Sequence, residues 1–307
     1  MFLLVPLLAL VLSVDASRLE GNPIITPETS KSIGANINGP SLIRVPSWLH
    51  KPLGKYYLYF AHHQGKFIRL AYANSLRGPW KVYEPGTLQL AEVPACHDHI
   101  ASPDVQVDDK TRTIRMYFHC PAEGTGTEIE HQKTLFADSA DGLHFRANSA
   151  VLGPPYFRVF RWQGYLYAIA RTGTLFRSSD GVSPFEPGPA LFGEDKGHIL
   201  RHAAVDVRGD VLTVYFSRIG DDPESILASE ITLTPDWKNW KSSKANLVLK
   251  PERFYEGADL PTQPSTADDA PGPVRQLRDP AIFHEDDHTY LLYSIAGESG
   301  IAIAVLH

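Results

Sequence analysis

One strand grammar is written five times along this chain, and no other feature narrows its fold so far. Four short runs rich in aromatic and β-branched residues come first: Pro40–Val45, Lys55–Phe60, Phe67–Tyr72 and Trp80–Tyr83. Turn-forming residues separate them, so the set reads as one antiparallel four-stranded meander. A second set follows at Pro103–Val107, Thr113–Phe118, Thr134–Ala137 and His144–Phe145, and a third at Tyr156–Phe160, Tyr165–Ala170, Thr174–Arg177 and Phe185–Glu186. Between the last two strands these sets carry Ser139-Ala140-Asp141-Gly142 and Ser179-Asp180-Gly181. The fourth set is Ala204–Val207, Val211–Phe216, Ser225–Ser229 and Trp237–Trp240, and the fifth is Asp279–Phe283, Thr289–Ser294 and Ile301–Val305.

Repeated four-stranded sheets at intervals of roughly 40–60 residues predict an all-β, five-bladed β-propeller, in which each sheet buries its faces against its neighbours. A β-sandwich has no reason to keep the strand-strand-strand-turn-strand order. The fifth unit is one strand short, so the last blade is expected to be closed by an N-terminal strand, with Asn22–Pro27 as the candidate.

A chain of 307 residues can hold this repeat as a single domain. With 29 Lys and Arg against 35 Asp and Glu, the net charge of -6 and the lack of a basic run argue against nucleic acid as a partner. Residues 1–16 form an apolar run ending Val14-Asp15-Ala16, with small residues where signal peptidase needs them. The expectation is a signal peptide at 1–16, a propeller at 17–307, a secreted or periplasmic location and no membrane association after cleavage. An N-terminal anchor or core strand is the alternative reading of that run. The two cysteines, Cys96 and Cys120, precede and follow the first two strands of the second set, so the topology brings them together as a disulfide.

In a propeller the innermost strand of each blade starts, and the second ends, at one face of the central channel. The residues at those positions are Asn38, His62 and His63 from blade 1, Asp104 and His119 from blade 2, and Arg158 and Arg171 from blade 3. Blade 4 adds His202 and Arg218, and blade 5 adds Arg278, Asp279 and Glu298. A polar turn at a sheet end needs no function, but five blades delivering acids and bases to one mouth is what an acid/base site requires.

The segments Arg278-Asp279-Pro280-Ala281-Ile282-Phe283, Ser102-Pro103-Asp104-Val105 and Tyr56-Tyr57-Leu58-Tyr59-Phe60 resemble those of the arabinanase/levansucrase/invertase superfamily, which includes glycoside hydrolase families 32, 43, 62 and 117. The resemblance implies a five-bladed propeller that cleaves glycosidic bonds with carboxylates around its central pocket. It also implies an Asp in an Asp-Pro motif at the start of blade 1, where this chain reads Asn38-Gly39-Pro40. The Asp-Pro motif stands instead at Asp279.

Glycoside hydrolysis needs one carboxylic acid for the leaving oxygen and one carboxylate to activate water or attack carbon. Asp279 is the expected base or nucleophile, and Glu256, in the long Pro-rich stretch before Pro273, the expected acid. Asp104 is expected to tune the pair by like-charge repulsion. The mouth histidines, arginines, Asn38 and Glu298 are expected to hold the sugar. No cofactor is expected; His97-Asp98-His99 lacks the spacing of a metal motif, and a central structural ion is the one open alternative. Two other functions fit the inventory: a non-catalytic sugar-binding propeller, suited to the missing blade 1 Asp, and a uronate-directed polysaccharide lyase, suited to the His and Arg content.

Overall fold

The computed structural model describes residues 15–122, 131–193, 195, 197–270 and 272–307. The expected signal peptide falls, up to residue 14, outside the described residues. Five sheets of four antiparallel strands are present, with short 3-10 turns as the helical elements among the described residues. Blade 1 runs outward through Asn38–Arg44, Tyr56–Ala61, Phe67–Ala73 and Lys81–Val82, with the short Leu88–Gln89 added to its third strand. Blade 2 is Ala101–Asp108, Thr113–Pro121, Gln132–Ser139 and Arg146–Ala147, and blade 3 is Arg158–Trp162, Tyr165–Ile169, Thr174–Ser178 and Glu186–Ala190. Blade 4 is Ile199–Arg208, Val211–Ile219, Ile226–Thr232 and Asn246–Leu249. Blade 5 is Arg278–Glu285, His288–Ser294, Ile301–Leu306 and, outermost, Ala16–Arg18.

Why the second strands read as unbroken apolar runs follows from this arrangement: both faces of each blade are covered, so no face is left to be polar. Tyr56, Leu58 and Phe60 pack into the core shared with blade 5, while Tyr57 and Tyr59, one residue out of phase, pack into the core shared with blade 2. Among the described residues there are five apolar clusters, one at each seam between neighbouring blades, including the seam between blades 5 and 1 that closes the ring.

The repeated turn has a packing role. Tyr59 Oη donates to the carbonyl of Gly142 at 2.9 Å, and one blade on, Tyr117 Oη donates to that of Gly181 at 3.2 Å. Both glycines sit at positive φ, and a Cβ on either would lie 2.8 Å from the tyrosine oxygen, so only glycine fits there.

Two strand expectations are corrected. The closing strand is Ala16–Arg18, paired with Ala304–Leu306, whereas within Asn22–Pro27 only Ile25 makes a bridge, to Ile301. Pro23 and Pro27 flank that segment and cannot donate to a ladder, while Ala16-Ser17-Arg18 can. In blade 4 the outer strand is Asn246–Leu249, and Trp237–Asn239 is a 3-10 turn that drives Trp237 and Trp240 into the seam with blade 3.

Candidate active site at the propeller mouth

The inner strands begin with one shared irregularity. In blades 1, 2, 4 and 5 the register slips near the start of the inner strand, between Asn38 and Ser41, Ala101 and Asp104, Leu200 and Ala203, and Arg278 and Ala281. Such a bulge re-aims the side chain it carries. Gly39, Ser102 and Asp279 occupy it at φ of 59°, 50° and 50°, and Tyr156, just before the inner strand of blade 3, has φ 67°. Three non-glycine residues held in the left-handed region around one opening are a concentration of backbone strain of the kind found at functional sites.

The residues at these starts form a pinwheel, each reaching toward the next blade. A Cβ on Gly39 would stand 3.3 Å from Cα of Ser102. The carbonyl of Ser102 accepts from Arg158 Nη1 at 3.3 Å. The Tyr156 ring lies 4.3 Å from the His202 ring, and His202 Nδ1 contacts Asp279 Oδ1. Asp279 Oδ2 then accepts from the backbone N–H of Gly39 at 3.3 Å and from Ser294 Oγ at 3.0 Å. Gly39 contributes only backbone to the ring, packing on Ser102 on one side and giving its N–H to Asp279 on the other.

Asp279 is 1% exposed and His202 9%. Their side chains touch without an aligned hydrogen bond. Burial, reinforced by the positive charges of Arg201, Arg158 and Arg171, pushes the His202 imidazole well below its ordinary pKa, so it stays neutral near pH 7. His119 is driven down the same way, by burial and then by neighbouring cations, and its ring lies 4.0 Å from Tyr156.

Two further carboxylates at the mouth, Glu298 and Glu224, are bound to arginine. Glu298 accepts from Arg278 Nη1 at 3.0 Å, Asn36 Nδ2 at 2.6 Å and Asn38 Nδ2 at 3.1 Å, with His63 Nδ1 at 3.6 Å. Burial works against its ionisation, but the His63 contact, the Arg278 charge and the Asn36 bond outweigh it and hold the carboxyl down to about 2. Glu224, a residue that sequence reasoning missed, is 0% exposed and joins Arg201 at 2.9 Å to Arg278 at 2.9 Å. Arg218 lies to the side, where it and His198 grip Asp221 at 3.0 and 2.6 Å. His62 sits at the rim, its Nδ1 accepting from the Gln64 N–H.

Two expected catalytic residues are elsewhere. Glu256 is fully buried at the outer part of blade 5, where Arg18 Nε and Nη2, Tyr293 Oη and the N–H groups of Glu252 and Arg253 donate to it at 2.7–3.0 Å. Tyr293 and Ser294 are consecutive on a strand and point to opposite faces, so Glu256 and Asp279 lie on opposite sides of the blade 5 sheet. Its place as the acid is therefore corrected. Asp104 lies past the bulge, in register with Ser41 and Ala281 rather than with Asp279, and its Oδ2 accepts from the N–H of Val159 in blade 3 at 2.8 Å. Burial raises its pKa, partly offset by Arg158 and by that hydrogen bond.

The Pro-rich stretch does reach the mouth, through a different part of its length. Arg201 donates to the carbonyls of Thr266 and Ala267, and Arg278 to that of Asp268. Asp269 lies close enough to His62 of blade 1, and Asp268 to Arg171 of blade 3, for their charges to act on those residues. Asp269 is half-buried and has no hydrogen bond or ion pair among the described residues. Neither aspartate follows a strand pattern, which is why the sequence did not single them out.

Cys96 and Cys120 are joined, with Cα atoms 5.7 Å apart, fastening the Cys96–His99 loop beside His119. Among the described residues no cluster of His, Cys, Asp and Glu is arranged to hold a metal ion. An open groove of about 710 Å³ lies at the other end of blades 2 and 3, around the Asp108–Thr113 hairpin, and contains none of the ring residues.

The fold, rather than the site, is what the chain shares with solved structures. The chain superposes with a TM-score of 0.66 on a glycosyl hydrolase of Bacteroides ovatus, at 11% identity over 95% of this chain and 93% of that one. It superposes at 0.62 on a family 43 β-xylosidase/α-arabinofuranosidase from a compost metagenome, at 14% identity over 95% and 94%. An N-acetylgalactosamine deacetylase of F. plautii shares the fold at 0.60 and 11% identity over 95% of each chain. No protein-family model matches the sequence. The protein belongs to the family of the uncharacterized protein R118 of Acanthamoeba polyphaga mimivirus, with which it is 40% identical over 300 residues, covering 88% of this chain and 83% of the viral one.

Proposed function

We propose that this protein is a glycoside hydrolase that cleaves O-glycosidic bonds of an oligo- or polysaccharide at the propeller mouth. The observation that carries the reading is Asp279. It is a buried carboxylate in a strained backbone position beside the Gly39 N–H, and the side chain against it is a neutral imidazole rather than an arginine. Ser294 and the Gly39 N–H fix the direction of this carboxylate toward substrate. Asp279 acts as base or nucleophile, and Asp269 of the overhanging loop supplies the proton to the leaving oxygen. If Asp279 is the nucleophile, water then displaces it from the anomeric carbon and gives its proton to Asp269; if Asp279 is the base, it takes the proton of the attacking water and solvent exchange returns one to Asp269.

A second reading, a sugar-binding propeller without turnover, is favoured by the arginines that neutralise Glu298 and Glu224. Incubating purified protein with a panel of plant and algal glycans separates the two. New reducing ends that disappear in Asp279→Asn and Asp269→Asn support hydrolysis. Binding without new ends supports the second reading, and ultraviolet-absorbing products would replace both with a lyase. We further propose export, with cleavage after Ala16; the disulfide supports an oxidising compartment, and Ser17 and Arg18 would remain to complete blade 5.

A further inference from the structure

Charge is distributed unevenly around the mouth. On the side of blades 4, 5 and 1, the fixed cations Arg201 and Arg278 are matched by Glu224 and Glu298 at 2.9–3.0 Å. On the side of blades 2 and 3, three donors have no such match. Arg171 packs its guanidinium 5.8 Å from the Tyr156 ring centroid and has no carboxylate within ion-pair distance among the described residues. His119 is 2% exposed with Nδ1 unpartnered. Arg158 is 4% exposed; its Nε and Nη1 donate to the carbonyls of Ala203, Ser102 and Phe157, while Nη2 has no partner.

Leaving buried donors unsatisfied costs stability, and a site with several of them around one opening is built for an acceptor that arrives with the ligand. A neutral sugar hydroxyl would satisfy one donor and leave Arg171 without a directly paired anion, Asp268 acting on it only from beyond ion-pair distance. A carboxylate or sulfate supplies two or three acceptor oxygens and the compensating charge.

We propose that the substrate carries an anionic group, a uronate carboxylate or a sulfate ester, seated against Arg171 with His119 and Arg158 behind it. The inference rests on the glycosidase reading of the same mouth and sets its substrate class. The Asp279 side then faces the scissile bond, and the Tyr156 ring, packed against His119 and His202, separates the two.

Calorimetric titration with three hexasaccharides tests this: a uronate oligomer, a sulfated galactan oligomer free of uronate, and neutral xylohexaose. One anionic probe is expected to bind about tenfold or more tighter than the neutral one at low salt, an advantage that shrinks as salt rises. Which of the two binds tells carboxylate from sulfate. Arg171→Gln should bring the anionic probe down to the affinity of xylohexaose for the same variant, and Arg171→Lys, which keeps the charge without the fork, should retain part of the advantage. Equal or tighter binding of xylohexaose, or an anionic preference that survives Arg171→Gln, overturns the inference but leaves the glycosidase reading standing. Failure of all three probes and of the wider glycan panel overturns both.

Discussion

Asp279 and His202 meet across the seam between blades 5 and 4, one oxygen of the carboxylate against the imidazole and the other against the N–H of Gly39 in blade 1. If that carboxylate acts on substrate, Asp279→Asn, which preserves shape, should lower kcat by about a thousandfold with little change in KM. Steady-state kinetics beside a thermal unfolding curve check this. Full activity in a folded Asp279→Asn protein would remove Asp279 from the mechanism.

Glu256 is a structural carboxylate, so its replacement should act on stability alone. Glu256→Gln leaves Arg18, whose side chain is 11% exposed, facing a neutral amide, at a cost of about 3–5 kcal/mol. Denaturant unfolding should show that loss while the surviving folded protein keeps its turnover rate. A drop in turnover without loss of stability would return Glu256 to the site.

Acid should weaken the fold in two stages. His119 and His202 titrate in the unfolded chain near 6.5 but well below that when folded, so the unfolded state takes up protons first and stability falls as pH drops below about 6.5. Glu298, ordinarily near 4.5, is held down to about 2, so its contribution is present above about 4.5 and is lost as pH falls toward 2. Unfolding midpoints measured from about pH 7 downward should decline throughout, and His119→Gln should flatten only the upper stage. A midpoint that rises on acidification would contradict both assignments.

Gly39 is required by its backbone and by the room it leaves. Gly39→Ala should destabilise by about 1–2 kcal/mol because φ is 59° and the new Cβ meets Ser102 at 3.3 Å. Denaturant unfolding of the two proteins checks this, and equal midpoints would contradict it.

The Cys96–Cys120 bridge closes a loop with a separation of 24 residues, which corresponds to about 3 kcal/mol of stabilisation. Chemical denaturation with and without reductant should differ by that order, and Cys120→Ser should abolish the difference.

The five-blade count was legible because each second strand, buried on both faces, announces itself as an apolar run, and because the Ser-x-Asp-Gly turn is needed to receive a tyrosine from the preceding blade. Asp279 was legible for a related reason: a titratable residue before proline at an inner-strand start has to face the mouth. Glu256 misled because its segment carries no periodicity, and nothing local reveals that the chain is still at the rim of blade 5 there. Arg18, its partner, is about 240 positions away in sequence. Tyr156 was read as part of an apolar strand, although a positive φ turns it into the ring. Asp268 and Asp269 approach the mouth only through their loop's backbone contacts with Arg201 and Arg278, a relation that no short-range pattern encodes.

Blade 5 is a composite, three of its strands coming from residues 278–306 and its outermost from residues 16–18. During synthesis the four preceding sheets can each assemble as they emerge, but the early segment must wait, unpaired, until Ile301–Leu306 has left the ribosome. The last step of folding is then a zippering of the earliest and latest parts of the chain, and interrupted translation products would be left with an open seam.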